Sequence, residues 1–588
     1  MFIRPVPTQG IMFLLLALLL LGCGDLTDAY TEATFEGGST RPTVVSGSGH
    51  HHLPHGKAIG PFGSNHPLIP EGEEDGEETP VFTFNTTVLV ENIKPVEGPK
   101  PEIPITIPLP ACHDVTGVHQ GNLYIYDVEE LENASTYAEI HGDLIIPGSV
   151  VTETIELPCL RIITGALFKP GCNSTPLLKK MSFPRLESAN SVEIWATQAL
   201  EELHLPALTS VGTFRVEYNY LLSKLILTSL EEVSGYLSVI NGELETLFLP
   251  KLVSVGGSFT LGENPNLHTL SIPNLTSAGV FALKGLEALE TLSMPSIEIL
   301  KTLHLSKLHA LESFSIPTLQ ELASLNLFSN ASLKSFHLPE IEEMEGSFKV
   351  HFNDTLPTLQ MPQLTSVEQL SVHSNAALQS IHLPSLESAL DIEVMSKAGY
   401  PWMPVRWISL PALKTLGWDL RIERLLELEV VYIPKLEEAY DVTLIETATL
   451  EDFHLPALEK VTGEMEVIAN ESLVSLRVPS LLTVGNFRVR EGWWTLENVE
   501  LPMLQEVGGN LVFKNNHVIE ANPFTALGFV NNSVIMIDNF SLPQCSVEAL
   551  LETLLAADDH HISVTNTAGN LEGCVCDGWG DVIDGSCS

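Results

Sequence analysis

A short pattern of apolar and variable positions recurs along most of the chain. Each copy reads apolar, any residue, apolar, Pro, any residue, apolar, then a small turn and a second apolar triplet, as in residues 203–208 and 214–216. Successive prolines are 22 or 23 residues apart, except at the steps 158–184 and 384–411 and between 206 and 250, where Thr228 takes the slot. The prolines are Pro158, Pro184, Pro206, Pro250, Pro273, Pro295, Pro317, Pro339, Pro362, Pro384, Pro411, Pro434, Pro456, Pro479 and Pro502. So constant a period predicts a solenoid.

Each triplet alternates apolar and variable residues, which in extended chain points the apolar side chains to one face. We therefore expect two short strands per coil and an all-β, parallel β-solenoid over residues 111–544. Proline suits the end of each strand because it has no N–H for the ladder. A set of asparagines follows the second triplet, where we expect left-handed corner residues that bond neighbouring backbone. They are Asn219, Asn264, Asn330, Asn353, Asn375, Asn470 and Asn516.

The first 110 residues do not follow the repeat. Residues 11–21 are continuously apolar but too short to span a bilayer, which predicts a signal peptide over residues 1–22. Residues 20–23 (LLGC) resemble a bacterial lipobox, and the resemblance implies cleavage before Cys23 and lipidation of its thiol. The alternative is ordinary cleavage that leaves Cys23 as a free thiol. Residues 23–110 are rich in Gly, Pro, Ser, Thr and acids, which predicts a disordered acidic linker.

The charge balance restricts the partners. The chain has 74 acidic and 29 basic residues and a net charge of −45, which repels phosphate backbones and anionic lipids. We therefore expect no nucleic-acid partner, and membrane attachment only through the N-terminal lipid. The expected location is outside the cytoplasm, at the outer membrane or cell surface.

The start of the repeat array resembles a known family. Residues 112–117 (CHDVTG), 121–125 (GNLYI) and 140–146 (IHGDLII) look like the opening of a receptor L domain, and the later coils also resemble leucine-rich repeats of bacterial surface proteins. The resemblance implies a right-handed β-helix and a ligand-binding role. The chain has many more coils than one L domain and no kinase, so receptor signalling is not implied.

The cysteines lie at the two ends of the array. Residues 545–588 predict a C-terminal cap that contains a helix capped by Ser546 and running to about Ala557. The apolar face of this helix is formed by Val547, Leu550, Leu551, Leu554 and Leu555. Because Cys545 and Cys574 bracket this helix, we expect them to pair, and Cys576 with Cys587 to form the remaining bridge in a tail that resembles an EGF-like fragment. Of Cys112, Cys159 and Cys172 one is left over, and a Cys159–Cys172 bridge is favoured.

The sequence offers little chemistry. His204, His337, His382 and His454 share the middle position of the first strand, but the nearest two, His337 and His382, lie about 10 Å apart by ladder spacing, so we expect surface residues and no metal site. The densest potential ligands, residues 558–561 (DDHH), do not converge on one point. We find no catalytic motif and no cofactor motif, and we expect the protein not to be an enzyme.

The candidate contact residues are aromatic. The long step from Pro384 to Pro411 contains Tyr400, Trp402, Arg406 and Trp407, and we expect this loop to protrude. Trp493 and Trp494 occupy a comparable corner about four coils on. Exposed Trp, Tyr and Arg are common in binding hot spots.

Together these features predict a cell-surface lipoprotein whose rigid repeat scaffold binds a protein or a glycan. The alternatives are a passive structural rod and, less favoured, a polysaccharide-active β-helix enzyme.

Overall fold

The structure, a computed structural model, describes residues 112, 114–147, 152–169, 177–556, 562 and 564–571. Within this part the chain forms a parallel β-solenoid of about 19 turns with two helices. The predicted signal peptide and linker, Cys23, Cys172, Cys574, Cys576, Cys587 and residues 558–561 lie outside the described residues. Neither described helix is long and apolar enough to span a bilayer.

The helices are α1 (Val128–Ala134) and α2 (Gln544–Leu555). The strands of the first half are β1 (Gly117–Gln120), β2 (Leu123–Tyr124), β3 (Tyr137–His141), β4 (Leu144–Ile145), β5 (Thr154–Glu156), β6 (Ile162–Lys169), β7 (Lys180–Ser182), β8 (Ser188–Trp195), β9 (Glu202–His204), β10 (Ser210–Glu217), β11 (Lys224–Ile226), β12 (Glu232–Val233), β13 (Leu237–Ile240), β14 (Thr246–Phe248), β15 (Ser254–Gly262), β16 (Thr269–Ser271), β17 (Ser277–Lys284), β18 (Ile299–Ser306), β19 (Ser313–Ser315), β20 (Glu321–Phe328) and β21 (Ser335–His337). Those of the second half are β22 (Glu343–His351), β23 (Thr358–Gln360), β24 (Ser366–His373), β25 (Ser380–His382), β26 (Ser388–Met395), β27 (Trp407–Ser409), β28 (Thr415–Leu416), β29 (Asp419–Glu423), β30 (Val430–Tyr432), β31 (Glu438–Ala439), β32 (Asp441–Ile445), β33 (Asp452–His454), β34 (Lys460–Ile468), β35 (Ser475–Arg477), β36 (Thr483–Trp493), β37 (Asn498–Glu500), β38 (Glu506–Val507), β39 (Asn510–Asn516), β40 (Phe529–Val530), β41 (Ser533–Ile537) and β42 (Val564–Asn566).

Successive coils pair in parallel, one repeat apart. All the longer strands, the two-residue strands and β42 form one 27-stranded sheet, and the other three-residue strands form smaller sheets of two to four strands. Arg215 pairs with Glu193 on one side and with Ser238 on the other, as the repeat of 22 or 23 residues predicts. The predicted all-β parallel solenoid is therefore confirmed, while its right-handed sense stays a prediction.

The core is one continuous apolar column inside the coils. Inward side chains of successive strands stack on one another, as with Phe259 and Phe281, whose ring centroids are 4.8 Å apart and which are fully buried. Because burying one such side chain stabilises the fold by about 1.5–3 kcal/mol, the alternating pattern fixes which face of each strand points inward.

The corner after the second triplet has the same arrangement in many coils: a left-handed residue followed by a buried asparagine. The residue before each predicted asparagine is left-handed, as at Phe352 (φ 59°) and Ser374 (φ 51°). The asparagine itself is buried and its amide bonds the backbone: Asn353 Nδ2 donates to Leu327 O, and its Oδ1 accepts from Asn330 N. The prediction that these asparagines bond neighbouring backbone is confirmed, but the left-handed conformation belongs to the preceding residue.

Several coils contain one extra residue, which forms a bulge in the long strand. One lies between Val461 and Glu464, where the register shifts relative to the next coil. Asp441 of the preceding coil accepts the freed Glu464 N–H at 2.6 Å. A Cβ at Gly463 would lie 2.1 Å from this carboxylate, so only glycine fits there. Bulges let coils of 22 and 23 residues stack in one register.

The two ends differ from the predictions in detail. Cys112 pairs with Cys159, their Cα atoms 5.5 Å apart, so the expected Cys159–Cys172 bridge is wrong. The reason is spatial: the thiol of Cys112 lies against the turn at Pro158, which proximity along the chain does not reveal. Cys545 is also disulfide-bonded.

The predicted C-terminal helix exists but begins earlier than expected. Helix α2 starts at Gln544, and the hydroxyl of Ser546 donates to Pro543 O instead of capping the helix. Val547, Leu550 and Leu554 are buried, whereas Leu555 is exposed. Strand β42 then continues the large sheet by pairing with β41. Helix α1, which the sequence analysis did not predict, is capped by Asp127, whose carboxylate accepts from Glu130 N at 3.0 Å.

Candidate functional site

The predicted aromatic insertion forms a loop between β26 and β27, residues 396–406, which we call the corner loop. Met403 and Val405 are fully buried and hold the loop to the stack from beneath. The Met403 N–H also donates to Ser396 Oγ at 2.9 Å. The corner loop is therefore attached to the rigid coils by its own interior residues.

Two rings of the corner loop remain accessible. Tyr400 is 53% exposed and Trp402 is 54% exposed. The Tyr400 ring lies 4.8 Å from that of Phe352, a left-handed corner residue of an earlier coil. The loop therefore folds back along the corner, and its rings present a surface supported by Phe352.

The other two candidates, Arg406 at the end of the corner loop and Trp407 directly after it, contact each other. Trp407 belongs to β27 in one of the small sheets and is partly buried. Arg406 is held in an ion pair with Glu429, and its guanidinium carbon lies 5.2 Å from the centre of the Trp407 ring. These contacts bind Arg406 and Trp407 to each other, separately from Tyr400 and Trp402.

Trp493 and Trp494 belong to a second aromatic group, which with His517 and Phe540 we call the Trp494 cluster. Ring centroids of Trp494 and His517 are 4.4 Å apart, and those of His517 and Phe540 are 4.2 Å apart. Trp494 is 65% exposed, while His517 is buried between its neighbours, and burial lowers its pKa. Phe540 was not among the predicted contact residues, although residues 494, 517 and 540 are each one repeat apart.

A histidine pair lies beside the corner loop on the outer face of the large sheet. The rings of His351 and His373 stack 4.4 Å apart, and both residues are buried. Burial and the neighbouring His373 lower the pKa of His351 to about 3. His373 Nε2 lies 2.8 Å from Glu393. Burial alone would raise the pKa of Glu393, but this hydrogen bond lowers it below its ordinary value.

The histidines of the first strand do not form a site. His204 was expected to face solvent, but it is 3% exposed and contacts Glu202 at 3.0 Å, so that expectation is wrong. Burial lowers the pKa of His204 because the surrounding side chains exclude water from the ring. The described ranges contain no group of three or more His, Cys, Asp or Glu placed to hold a metal ion.

Leu390, Trp418 and Tyr440 form a further exposed column, which we call the outer ladder and which the repeat pattern did not indicate. Their exposed fractions are 42%, 63% and 49%. They lie on consecutive coils, since Trp418 N donates to Leu390 O and Tyr440 N donates to Trp418 O. Leu390 lies in β26, whereas Trp418 and Tyr440 lie at the bends before β29 and β32, where most other coils carry small residues. An aromatic residue in place of a small turn residue was the available signal.

A row of carboxylates runs beside the outer ladder, because Asp391, Asp419 and Asp441 each directly follow a ladder residue. Asp419 pairs with Asp441 in the strand register. Burial and then the charges of Asp441 and Asp391 raise the pKa of Asp419 to about 6. No hydrogen-bond donor of the described residues reaches this carboxylate. The row is thus a concentrated negative charge next to exposed rings.

A shallow groove of about 460 Å³ adjoins the outer ladder and crosses five coils, from Glu343 to Glu438. Its floor is apolar, and Leu390 forms part of its wall. Its lining residues include four carboxylates, those of Glu343, Glu345, Glu368 and Glu438, and no basic side chain. The groove and the outer ladder form one continuous acidic and apolar surface.

Comparisons with known proteins add little to this picture. No family profile matches the chain, and no curated protein does. Among solved structures, the chain is similar to one described as the crystal structure of a TLR13–ssRNA13 complex, with 13% sequence identity and a TM-score of 0.17. The similarity covers 74% of this chain and 82% of that chain. An identity and a TM-score this low carry no argument about ligand or function.

Proposed function

We propose that this protein is an exported, lipid-anchored surface protein whose solenoid holds a rigid binding surface for a protein or glycan ligand. The lipobox-like residues 20–23 and the acidic segment that follows support anchoring through Cys23. Binding, not catalysis, is the activity we propose. A passive structural rod is the alternative that the experiment below separates from it.

One observation carries the proposal: Tyr400 and Trp402 expose more than half of their surface on a loop whose Met403 and Val405 are fully buried. Exposed aromatic side chains lower the solubility of a protein unless they contact a partner, and Trp and Tyr dominate binding hot spots. Because the loop is attached from beneath, its rings lose little conformational freedom on binding. The Trp494 cluster provides a second surface of the same kind.

The test compares the wild-type protein with a Trp402→Ala/Trp494→Ala variant on a glycan array and a protein array. We expect any specific signal to weaken by about tenfold or more, as hot-spot truncations do. Tyr220→Ala is the matched control, because Tyr220 is 61% exposed outside both aromatic groups. No specific binding by the wild type favours the passive rod. Equal binding by the wild type and the double variant would show that the ligand binds outside the two aromatic groups.

The anchor has its own test. Cys23→Ser should move the protein from the membrane fraction to the soluble fraction of the cells that express it. The intact mass of the membrane-extracted wild type should show an N-terminal cysteine carrying acyl chains. A mature N-terminus with an unmodified Cys23 would remove the anchor from the proposal and leave the binding role to be judged separately.

A further inference from the structure

The outer ladder and the adjoining groove form a second surface that the corner aromatics do not include. We propose that this surface binds an extended, arginine- or lysine-rich segment of a partner protein. This proposal extends the proposed binding role to residues outside the corner. The two binding surfaces are therefore tested by separate sets of variants.

The apolar part of the surface argues for contact with a partner. Trp418 is 63% exposed and Tyr440 is 49% exposed, at bends where most other coils carry a small residue. Leu390 continues this strip and also forms part of the groove wall. Because residues at the same position of consecutive coils repeat at roughly 4.8 Å, these two side chains are within reach of successive side chains of a bound segment.

Charge complementarity identifies the occupant. Four carboxylates line the groove without a basic residue, and Asp391, Asp419 and Asp441 run beside the strip. Within the described part of the chain, none of the four groove carboxylates takes part in an ion pair. A cationic side chain would offset this charge and place its guanidinium or ammonium group over the Trp418 or Tyr440 ring.

The same charges argue against other occupants. A second copy of this chain carries a net charge of −45, and a nucleic acid carries a phosphate at every residue, so both are repelled. The dimensions suit an extended segment, since five coils span roughly 19 Å, the length of about six residues of extended chain. Every second side chain of such a segment would face the groove.

The experiment measures fluorescence anisotropy of a labelled peptide of alternating Arg and Ser with the purified full-length protein at low salt. Trp418→Ala/Tyr440→Ala should weaken binding by about tenfold, and Trp418→Phe/Tyr440→Phe should keep most of it. Glu345→Gln/Glu368→Gln should weaken binding by about threefold and reduce its salt dependence. A peptide of alternating Glu and Ser should not bind. Thermal melting verifies that each variant is folded.

The matched control is Glu201→Gln/Glu232→Gln, which makes the same change in net charge at two exposed residues of earlier coils. It should alter the affinity by less than about twofold. If it weakens binding as much as the groove variant does, the peptide is held by net charge alone and the proposal fails. The proposal also fails if Trp418→Ala/Tyr440→Ala binds like the wild type, or if a neutral oligosaccharide displaces the peptide. Trp402→Ala/Trp494→Ala should leave peptide binding unchanged, which separates this surface from the corner.

Discussion

At the scale of single residues, the solenoid depends on polar side chains that complete the backbone where its ladder is interrupted. Most corners turn the chain through a left-handed residue, which takes peptide groups out of the strand pairing. The buried asparagines pair these groups: Asn353 alone contacts the backbone of Asn330, Leu327 and His351. A buried peptide group without a partner costs about 1–3 kcal/mol, so the asparagine column is a condition for closing the coils.

Replacing Asn353 with alanine should therefore lower the free energy of unfolding by about 3 kcal/mol, because it leaves several buried backbone groups unpaired. Urea unfolding followed by circular dichroism measures the change. Asn274→Ala is the control, since the exposed Asn274 makes a single hydrogen bond to Pro250 O. A loss of equal size in both variants would show that the corner position has no special importance.

His351 predicts a pH dependence. Its pKa is lowered to about 3, mainly by burial, from the ordinary value of 6.5. Between these values the unfolded state binds more protons than the folded state, so the free energy of unfolding falls as the pH drops through this window. His351→Phe keeps the ring contacts but does not titrate. Between pH 6.5 and about 4.5 this variant should lose less stability than the wild type, by at most about 3 kcal/mol. Equal losses in urea unfolding at the two pH values would contradict the assignment.

At the scale of elements, extra residues are accommodated in two ways. A single extra residue becomes a bulge, capped by a side chain of the preceding coil, as Asp441 caps the Glu464 N–H. A longer addition leaves the core as the corner loop, which then inserts its own apolar residues, Met403 and Val405, into the stack. The first solution keeps the surface regular, whereas the second creates a new surface that remains rigid.

Met403→Ala tests whether this attachment holds the corner loop in place. Truncating a buried Met costs about 2–5 kcal/mol, and because the coils on either side keep their own core, the cost should fall on the loop. We expect faster amide hydrogen exchange in residues 397–405 and weaker ligand binding, with Tyr400 and Trp402 unchanged in sequence. Met503→Ala, at a site that is 47% exposed, should change neither. Unchanged exchange in the corner loop would mean that Val405 and the Ser396 hydrogen bond suffice.

A surface feature could be predicted from the sequence only where it changes the spacing of the repeat. The spacing of Pro206 and its equivalents predicted coils and strands because every coil must bury the same apolar positions. Tyr400 and Trp402 were found because an insertion interrupts that spacing. Trp418 and Tyr440 leave the proline spacing at 22 or 23 residues, since a turn residue faces solvent whatever its type. Only the pairing of successive coils in the structure shows that the two residues are neighbours. The Cys112–Cys159 pair depends likewise on spatial contact near the first coils.

At the scale of the whole molecule, each coil pairs with the coil before and the coil after it, so stability is nearly a sum of local and nearest-neighbour contributions. In such a stack, a substitution that destabilises one coil should affect only the few coils next to it. It also lets separate surfaces, the corner loop, the Trp494 cluster and the outer ladder, be altered one at a time. The disulfide bonds at the ends of the array should contribute most to the stability of the terminal coils, because a terminal coil pairs with a neighbour on one side alone.

The Cys112–Cys159 bridge tests this locality. Replacing both cysteines with serine removes a link between residues 47 positions apart, which typically costs about 2–4 kcal/mol. In a one-dimensional stack we expect amide exchange to rise in β1 to β8 and to stay as in the wild type from β15 onward. The double variant is preferable to chemical reduction, because Cys545 is also disulfide-bonded. Hydrogen-exchange mass spectrometry measures each region separately. A uniform rise along all coils would show that the solenoid unfolds as one cooperative unit, and variants at one surface would then affect the others through global stability.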